Sequence, residues 1–201
     1  MKINALMVPN PITISKNASI GEAIELMKIN SIRHLPVISK HNKLRGFVTL
    51  ADLKQSLIPS MVGDLTLHDI MIKDPITVDP DDDIEIAAQL IYKHKIGGMP
   101  VTKDDRVVGI ITESDILRAF IDMMGILSAS SRIDVVIGDK PSDFQNALQI
   151  INDKGGEIIN VGQTAQGRSK RTYYFRLNPC RIDIIRDALE DKGFEVAEAM
   201  E

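Results

Sequence analysis

The chain has 201 residues, of which 44% are hydrophobic and 4% aromatic, and its 24 basic and 28 acidic residues give a net charge of −4. This composition is ample for a hydrophobic core, but it lacks the basic surface and the aromatic platforms that nucleic-acid binding requires. Cys180 is the single cysteine and cannot form an internal disulfide, and the sequence shows neither a signal-peptide pattern nor an apolar run of about 20 residues, so we expect a cytoplasmic protein without nucleic-acid or membrane partners.

The N-terminal part of the chain contains two copies of one pattern. Residues 7–14, MVPNPITI, return as residues 71–78, MIKDPITV, at a shift of 64 (71 − 7). Residues 35–37, LPV, return as 99–101, MPV, at the same shift, and residues 46–52 return as 109–115 at a shift of 63 (109 − 46). Two copies of a small unit usually stack, and equivalent residues of both then line a shared cleft. We therefore look for function in that cleft.

Each repeat is predicted to follow the order β-α-β-β-α. A short β-rich run, Ile12-Thr13-Ile14 or Ile76-Thr77-Val78, precedes an amphipathic helix. Ser19, followed three residues later by Glu22, is a candidate capping box for the first of these helices. Two strands follow in each copy, at 35–38 and 44–49 or at 99–102 and 107–112, and a second helix is predicted from Asp52 or Asp115.

The residues after 127 predict a further domain. The first repeat is predicted at 1–64 and the second at 65–127. Residues 128–131, SASS, are a predicted linker to a C-terminal domain at 132–201. In that domain we predict strands at 132–137, 158–161, 172–177 and 194–197 and helices at 142–153 and 180–192. The resulting β-α-β-β-α-β order is that of the ferredoxin-like split unit, so the whole chain is predicted to be an α/β (α+β) protein.

The strongest chemical signal is a motif that occurs once in each repeat, where a strand ends and a helix begins: Gly46-x-x-Thr49-x-x-Asp52 and Gly109-x-x-Thr112-x-x-Asp115. A Thr hydroxyl and free helix N–H groups can donate to a phosphate, and a carboxylate one turn later can accept hydrogen bonds from both hydroxyls of a ribose. Glycine lets the backbone approach a ligand. The simpler alternative is a capping box that satisfies the first N–H groups of a helix. Two copies, each after an apolar-Pro-Val strand, favour the nucleotide site.

These motifs in tandem resemble a pair of cystathionine β-synthase (CBS) domains, which form a Bateman module, over residues 1–127. The resemblance implies a pseudo-two-fold module with two clefts for an adenosine derivative such as AMP, ADP, ATP or S-adenosylmethionine, which acts as a regulatory ligand and not as a cofactor. It implies that Asp52 and Asp115 hold the ribose and that Thr49 and Thr112 face the phosphate. It also places the base against backbone and apolar side chains of two strands in each repeat, here Ile12, Thr13, Leu35, Pro36, Ile76, Thr77, Met99 and Pro100.

The two repeats differ just before the proline of the apolar-Pro-Val strand. The first has Arg33-His34 where the second has Gly97-Gly98 (33 + 64, 34 + 64). Arg offers a rigid fork for phosphate and His a tunable donor, whereas Gly97 and Gly98 offer room and backbone only. We therefore expect unequal clefts, in which a polyphosphate prefers the cleft that Arg33 and His34 reach. The alternative is that Arg33 and His34 are a solvated helix end.

The C-terminal domain is similar to an ACT domain, mainly in element order and in residues 132–141, RIDVVIGDKP. ACT domains usually pair through their sheets and often bind amino acids, so the resemblance implies a homodimer. Members that bind amino acids commonly have glycine after that proline, where this chain has Ser142, which favours a purely dimerising role. Residues 168–171, RSKR, are expected in a solvated hairpin loop, with an anion or protein-docking patch as the alternative.

The whole layout resembles the acetoin-utilisation accessory proteins of bacteria. This resemblance implies a non-enzymatic sensor in which a nucleotide binds a homodimer and thereby alters an unidentified partner protein. The sequence lacks the common nucleotide-loop, hydrolase and zinc-protease motifs, and its four histidines show no metal-ligand spacing, so we expect no catalytic and no metal site. The alternatives are a structural module with empty clefts, an amino-acid-binding regulator, and a subunit whose catalytic partner is another chain.

Overall fold

The structure is a computed structural model that describes residues 1–55, 66–138, 140–166 and 170–200. The chain divides into two compact units, Met1–Leu117 and Arg118–Glu201. The first unit contains both predicted repeats up to the middle of a helix, and the second contains the end of that helix and the C-terminal domain. The predicted domain bounds and the predicted linker at 128–131 stay predictions.

The first unit is built from short strands and helices that follow a 3₁₀ turn at Ile3–Ala5. In chain order they are β1 (Val8–Pro9), β2 (Ile14–Ser15), α1 (Ile20–Ile29), β3 (His34–Ile38), β4 (Leu44–Thr49), α2 (Leu50–Gln55), α3 (Leu67–Ile70), α4 (Ile84–His94), β5 (Gly98–Lys103), β6 (Arg106–Thr112) and α5 (Glu113–Met123), which continues into the second unit. The predicted mixed α/β class and the order of helices and hairpins are confirmed.

The predicted ends of several elements are wrong by a few residues. The predicted run at 12–14 pairs only from Ile14, and its copy makes a single bridge from Val78 to Val101, because the residues before them cross between two sheets. Helices α2 and α5 begin at Leu50 and Glu113, two residues before the predicted Asp52 and Asp115. The reason is that the preceding threonine, and not the aspartate, stands at the helix entrance.

The start of α1 is fixed by the predicted capping box. The Glu22 N–H donates to Ser19 Oγ at 3.2 Å, and the Ser19 N–H donates to Glu22 Oε2 at 2.7 Å. The apolar stripe of α1, Ala23 and Met27 among it, is buried with the inner residues of β3 and β4. This packing holds the β3–β4 hairpin, which carries the first copy of the motif.

The N-terminal segment of each repeat pairs with the sheet of the other repeat. Strand β1 lies antiparallel to β6, with Val8 opposite Ile110, and Ile72 in the same way bridges Phe47 of β4. The two sheets therefore have the orders β1-β6-β5 and β2-β3-β4. The repeats are therefore not two independent units that stack, because each contributes a segment to the sheet of the other.

The same exchange occurs at the helix entrances. The Ile3 N–H donates to Asp82 O at 2.9 Å, just before α4, and the Leu67 N–H donates to Ala18 O at 3.0 Å, just before α1. Ile3 and Leu67 are both fully buried. Each repeat thus supplies one apolar anchor and one backbone hydrogen bond to the core of its neighbour.

The motif glycines serve this exchange, and that they also bring backbone to a ligand stays a prediction. A Cβ on Gly46 would lie 2.5 Å from Met71 Sδ and 2.9 Å from Ile72 O, and a Cβ on Gly109 would overlap Met7 Sδ. Each glycine therefore leaves the space in which the methionine of the other repeat crosses the strand.

The second unit contains β7 (Ser131–Gly138), α6 (Pro141–Asp153), β8 (Ile158–Gln166), β9 (Lys170–Leu177), α7 (Ile182–Asp191) and β10 (Glu195–Met200). The strands form one antiparallel sheet in the order β10-β7-β9-β8. The predicted β-α-β-β-α-β order is confirmed, and its core is made by the inner faces of β7 and β9 with α6 and α7. The relation to ACT domains and the dimerising role stay predictions.

Two predictions about the loops of the second unit need comment. Of the predicted loop cluster, Arg168 and Ser169 lie outside the described residues, whereas Lys170 and Arg171 begin β9 and are not part of a loop. Ser131, in the predicted linker, is buried and begins β7. No helix in the described ranges is both long enough and apolar enough to cross a bilayer.

Candidate functional site

The first unit contains a cavity of about 700 Å³ beside the junction of β4 and α2. Four stretches make most of its wall: 33–34 at the start of β3, 49–54 at the junction, 74–76 where the chain crosses between the sheets, and 95–98 before β5. Pockets of this size commonly hold small molecules. Both repeats contribute to it, as the duplication predicted.

In both copies of the motif the threonine and the aspartate bind each other. The Thr49 hydroxyl and the Thr49 N–H both donate to Asp52 Oδ2, at 2.7 and 3.0 Å. Thr112 donates to Asp115 Oδ2 in the same way, at 2.6 and 2.8 Å. The capping interaction is therefore present in both repeats.

Capping and ligand binding can coexist at these aspartates. A carboxylate can accept about four hydrogen bonds, so the bonds from threonine to one of its oxygens do not by themselves prevent a sugar from donating to it. The threonine hydroxyl is different, because it has one hydrogen and donates it to the aspartate. For Thr49 or Thr112 to donate to a phosphate, the hydroxyl has to rotate away from its aspartate.

His34 forms part of the cavity wall and is half-buried. Its ring stacks on Phe47 with 5.8 Å between ring centroids and 19° between planes. Burial, and then the positive charge of Arg33, lowers the pKa of His34, against the opposing effects of Glu113 and Asp52. The imidazole is therefore mainly neutral at neutral pH. It is not part of a solvated helix end, since α1 ends at Ile29.

Gly97 provides the space that the His34 ring occupies. A Cβ on Gly97 would lie 3.0 Å from His34 Nε2 and 3.4 Å from Cε1. Gly97 is the counterpart of Arg33, and matching hydrogen bonds hold both, from the Leu50 N–H to Arg33 O at 2.9 Å and from the Glu113 N–H to Gly97 O at 3.1 Å. Gly97 therefore leaves room for the His34 ring, which is one packing reason why the second repeat has glycine where the first has Arg33.

The predicted site residues fall into several places. Those that line the cavity are Arg33, His34, Thr49, Asp52, Ile76 and Gly98. Thr112 and Asp115 lie at the β6–α5 junction, and Ile12 and Thr13 lie between β1 and β2. The remaining ones are Pro36, Met99 and Pro100, which are buried in β3 and β5, and Thr77, which lines a smaller cavity of about 360 Å³. Their roles in ligand binding stay predictions.

Several lining residues were not singled out from the sequence. Four of them are charged, and the others are apolar: Lys54, Asp74, Lys95 and Glu113, then Phe47, Leu50, Ala51, Ile72, Pro75 and Ile96. Leu50 and Ala51 are the variable positions inside the motif itself. Lys95 and Ile96 precede the second apolar-Pro-Val strand, so the 64-residue shift was the signal that could have found them.

The lining of the cavity is chemically mixed. It has three permanently cationic side chains, Arg33, Lys54 and Lys95, and three carboxylates, Asp52, Asp74 and Glu113. The rest of the wall is largely apolar. Such a lining can hold a flat apolar ring, accept hydrogen bonds from hydroxyls and attract an anionic tail. Over the part of the chain that the structure covers, no three His, Cys, Asp or Glu side chains are grouped to hold a metal ion.

The sequence model of the CBS domain matches this chain twice, at residues 3–58 and 67–122. Among curated relatives, the homoserine O-acetyltransferase of Methanocorpusculum labreanum is 41% identical over 114 residues, which are 56% of this chain and 23% of that one. The inosine-5'-monophosphate dehydrogenase of Methanocaldococcus jannaschii is 31% identical over 153 residues, 75% of this chain and 30% of that one. The chain thus spans less than a third of the length of these two enzymes.

Three solved structures resemble the chain over about three fifths of its length. The CBS domain pair of protein MJ0100, in complex with 5′-methylthioadenosine and S-adenosyl-L-methionine, is 35% identical, with a TM-score of 0.56 over 60% of this chain and 95% of that one. AcuB of Vibrio cholerae, named for acetoin utilization, is 31% identical, with a TM-score of 0.59 over 63% and 96%. CBSX2 of Arabidopsis thaliana, in complex with AMP, is 26% identical, with a TM-score of 0.54 over 60% and 96%.

Proposed function

Because the chain belongs to the CBS-domain family, we propose that it is a regulatory protein that binds an adenosine derivative in the cavity beside Thr49 and Asp52. The observation that carries the proposal is the convergence on one cavity of about 700 Å³ of the motif carboxylate, an apolar wall and three cationic side chains. The CBS pair of MJ0100 and CBSX2 are similar proteins that bind adenosine compounds.

Each part of an adenosine nucleotide has a counterpart in this lining. The base packs against the apolar wall, which includes Ile76, and the ribose hydroxyls donate to Asp52. The phosphates lie toward Arg33, Lys54 or Lys95, since guanidinium and ammonium groups are the usual protein partners of phosphate. Because Arg33 and His34 line this cavity, a polyphosphate enters here in preference to the cleft at Thr112 and Asp115.

Binding is converted into regulation through the exchanged segments. The walls at 33–34 and 49–54 belong to the first repeat, and the walls at 74–76, where the chain crosses between the two sheets, and 95–98 belong to the second. A ligand between them contacts both repeats and favours whichever arrangement of the repeats fits it better. We further propose that the protein is a cytoplasmic homodimer that acts on a partner protein, and the likeness to AcuB supports a link to acetoin utilisation.

The first test compares Asp52→Ala with Asp115→Ala. Both variants lose the same capping bonds, at the same kind of helix start, so Asp115→Ala is a matched control for the loss of stability. We expect Asp52→Ala to weaken adenosine, AMP and ATP by at least about tenfold, because hydrogen bonds to a charged group contribute about 1.5–3 kcal/mol. Isothermal titration calorimetry of both variants, with their unfolding midpoints, provides the measurement. Undiminished affinity in Asp52→Ala would overturn the proposal.

The second test removes the guanidinium group with Arg33→Ala. We expect ATP and ADP to lose more affinity than adenosine, because only the polyphosphates have charge for Arg33 to bind. Calorimetric titration of the three ligands gives the ratio of the losses. Lys28→Ala, at the exposed end of α1, is the control for the change in net charge. Equal losses for adenosine and ATP would show that Arg33 has another role.

A structural module with an empty cavity is the competing function. It is favoured by the capping bonds, which are complete without a ligand. A thermal shift separates the two functions, since a ligand at 100 times its dissociation constant adds about 2.7 kcal/mol to the stability of the native state. Absence of a shift with AMP, ADP, ATP and S-adenosylmethionine would favour the structural module.

A further inference from the structure

A second cavity of the first unit, of about 440 Å³, has a basic lining. We call it the Lys16–Lys73 cavity, and its lining residues are Lys16, Ser39, Arg45, His68, Met71, Lys73 and Asp74. Three of these side chains are permanently cationic, and the carboxylates that oppose them are Asp74 in the lining and Asp69, which interacts with His68 and Lys73. Positive charge therefore exceeds negative charge around it.

The duplicated sequence supplies an internal control for these charges. The counterparts of the basic lining residues in the other repeat are uncharged: Pro80 for Lys16 (16 + 64), Val108 for Arg45 (45 + 63), Asn4 for His68 (68 − 64) and Pro9 for Lys73 (73 − 64). Met71, by contrast, has an identical counterpart in Met7, and both pack against a motif glycine. The methionine therefore belongs to the shared fold, whereas Lys16, Arg45 and Lys73 do not; at the equivalent place the other repeat has one cation, Lys103, the counterpart of Ser39 (39 + 64).

A buried hydroxyl in the same lining points to a ligand independently of charge. Ser39 Oγ is inaccessible to solvent and has no hydrogen-bond partner among the residues that the structure describes. Buried polar atoms nearly always have a partner, so this hydroxyl has the capacity for a hydrogen bond to a water or a ligand once its side chain rotates toward the cavity. The hydroxyl can donate to an anion, as can each of the cationic side chains around it.

We propose that the Lys16–Lys73 cavity is a second binding site, which takes an anion of the phosphate class. Arg45 and Lys73 supply the charge-assisted hydrogen bonds, which are the stronger kind, and Ser39 donates the neutral one. The anion is either free in solution or the phosphate group of a larger ligand. The site is separate from the adenosine cavity, although Asp74 lies in the lining of both.

Pyrophosphate and inorganic phosphate are the probes, titrated by calorimetry into the full chain at constant ionic strength. Three forms are compared: wild type, Arg45→Gln/Lys73→Gln, and the control Lys28→Gln/Lys93→Gln, which removes the same charge from exposed ends of α1 and α4. We expect the first double variant to weaken pyrophosphate by at least about tenfold and the control by less than about twofold, since the control changes only the net charge. Ser39→Ala weakens pyrophosphate by a smaller factor.

The outcomes separate this site from the adenosine cavity. Pyrophosphate affinity equal in all three forms, or reduced equally in both double variants, overturns the proposal. A fourth form, Arg33→Gln, is titrated in parallel, and a loss of pyrophosphate affinity in that form alone also overturns it. Titration with saturating ATP present separates the two sites, because ATP fills the phosphate end of the adenosine cavity. Pyrophosphate that still binds then occupies the Lys16–Lys73 cavity as a free anion, whereas competition would place it in the adenosine cavity and overturn a separate site. An unchanged circular dichroism spectrum and an unchanged urea midpoint of Arg45→Gln/Lys73→Gln confirm that the variant folds. If adenosine bound none of the forms, that result would contradict the proposed function and would leave the proposal of a second anion site unaffected.

Discussion

Among the individual residues of the cavity, His34 is the one whose charge responds to pH near neutrality. Its pKa lies below the ordinary value of 6.5, chiefly because it is buried against Phe47 and secondly because of Arg33. The unfolded chain therefore takes up this proton before the folded chain does. The His34 contribution to stability is complete above about pH 6.5 and is lost as the pH falls through the folded-state pKa.

We expect the free energy of unfolding to decrease from pH 7.5 to pH 5.5, and we expect His34→Gln to reduce that decrease. Urea unfolding at the two pH values measures the difference, and a nuclear magnetic resonance titration locates the pKa of His34 directly. His94, which is exposed at the end of α4, offers the control His94→Gln. A pKa of His34 at or above 6.5 would contradict this explanation.

The residues that the sequence identified best are those with a local and duplicated signal. Thr49 and Asp52 were found because the motif recurs, and the structure brings both into the cavity wall. Lys54 was not found, since a lysine near a helix end has no feature that separates a cavity wall from ordinary surface, whereas the 64-residue shift could have identified Lys95. The bond between threonine and aspartate was weighed only as an alternative to ligand binding, whereas one carboxylate has capacity for both.

At the scale of the element, strand β4 illustrates what local patterns can and cannot predict. The end of β4, the capped start of α1 and the order of hairpin and helix follow from alternation and capping residues. The bridge from Phe47 to Ile72 does not, because it joins residues of different repeats and no local pattern specifies that pairing. The shortened pairing at Ile14 has the same origin, since the residues before it connect two sheets.

Gly46→Ala tests the packing role of the glycine in β4. The new methyl group meets Met71 and the Ile72 carbonyl oxygen, so we expect a loss of about 1–3 kcal/mol in the free energy of unfolding, typical of overpacking. Gly21→Ala in α1 is the control, because the nearest atom to its Cβ is 3.9 Å away, and there we expect a gain of up to about 1 kcal/mol from helix propensity. Urea unfolding measures both. If Gly46→Ala left the stability unchanged and reduced ligand affinity, the result would instead support the expectation that the Gly46 backbone lies against the ligand.

For the whole molecule, the exchanged anchors predict that the two repeats of the first unit unfold together. Ile3 packs in the second repeat and Leu67 in the first, and both are fully buried. We expect Ile3→Ala and Leu67→Ala each to cost about 2–5 kcal/mol, as usual for large apolar residues in a core. We also expect either variant to speed hydrogen exchange at protected amides in both repeats.

Native-state hydrogen exchange, followed amide by amide, makes that measurement. Ile29→Ala is the control, because this side chain is mostly exposed at the end of α1 and its loss should leave exchange in both repeats nearly unchanged. Faster exchange in one repeat only would mean that the repeats open independently, and would contradict a unit built by mutual completion.

The room that Gly97 leaves for His34 has a consequence for how such a protein can arise. In a symmetric dimer of single repeats, each copy would bring the same residue to this point, so a side chain as large as arginine in both would exclude the imidazole between them. Covalent fusion removes that restriction, because the two halves of one chain can have a large residue and a small residue at equivalent positions. An asymmetric module of this kind therefore requires two halves of different sequence, which a single polypeptide containing both repeats provides.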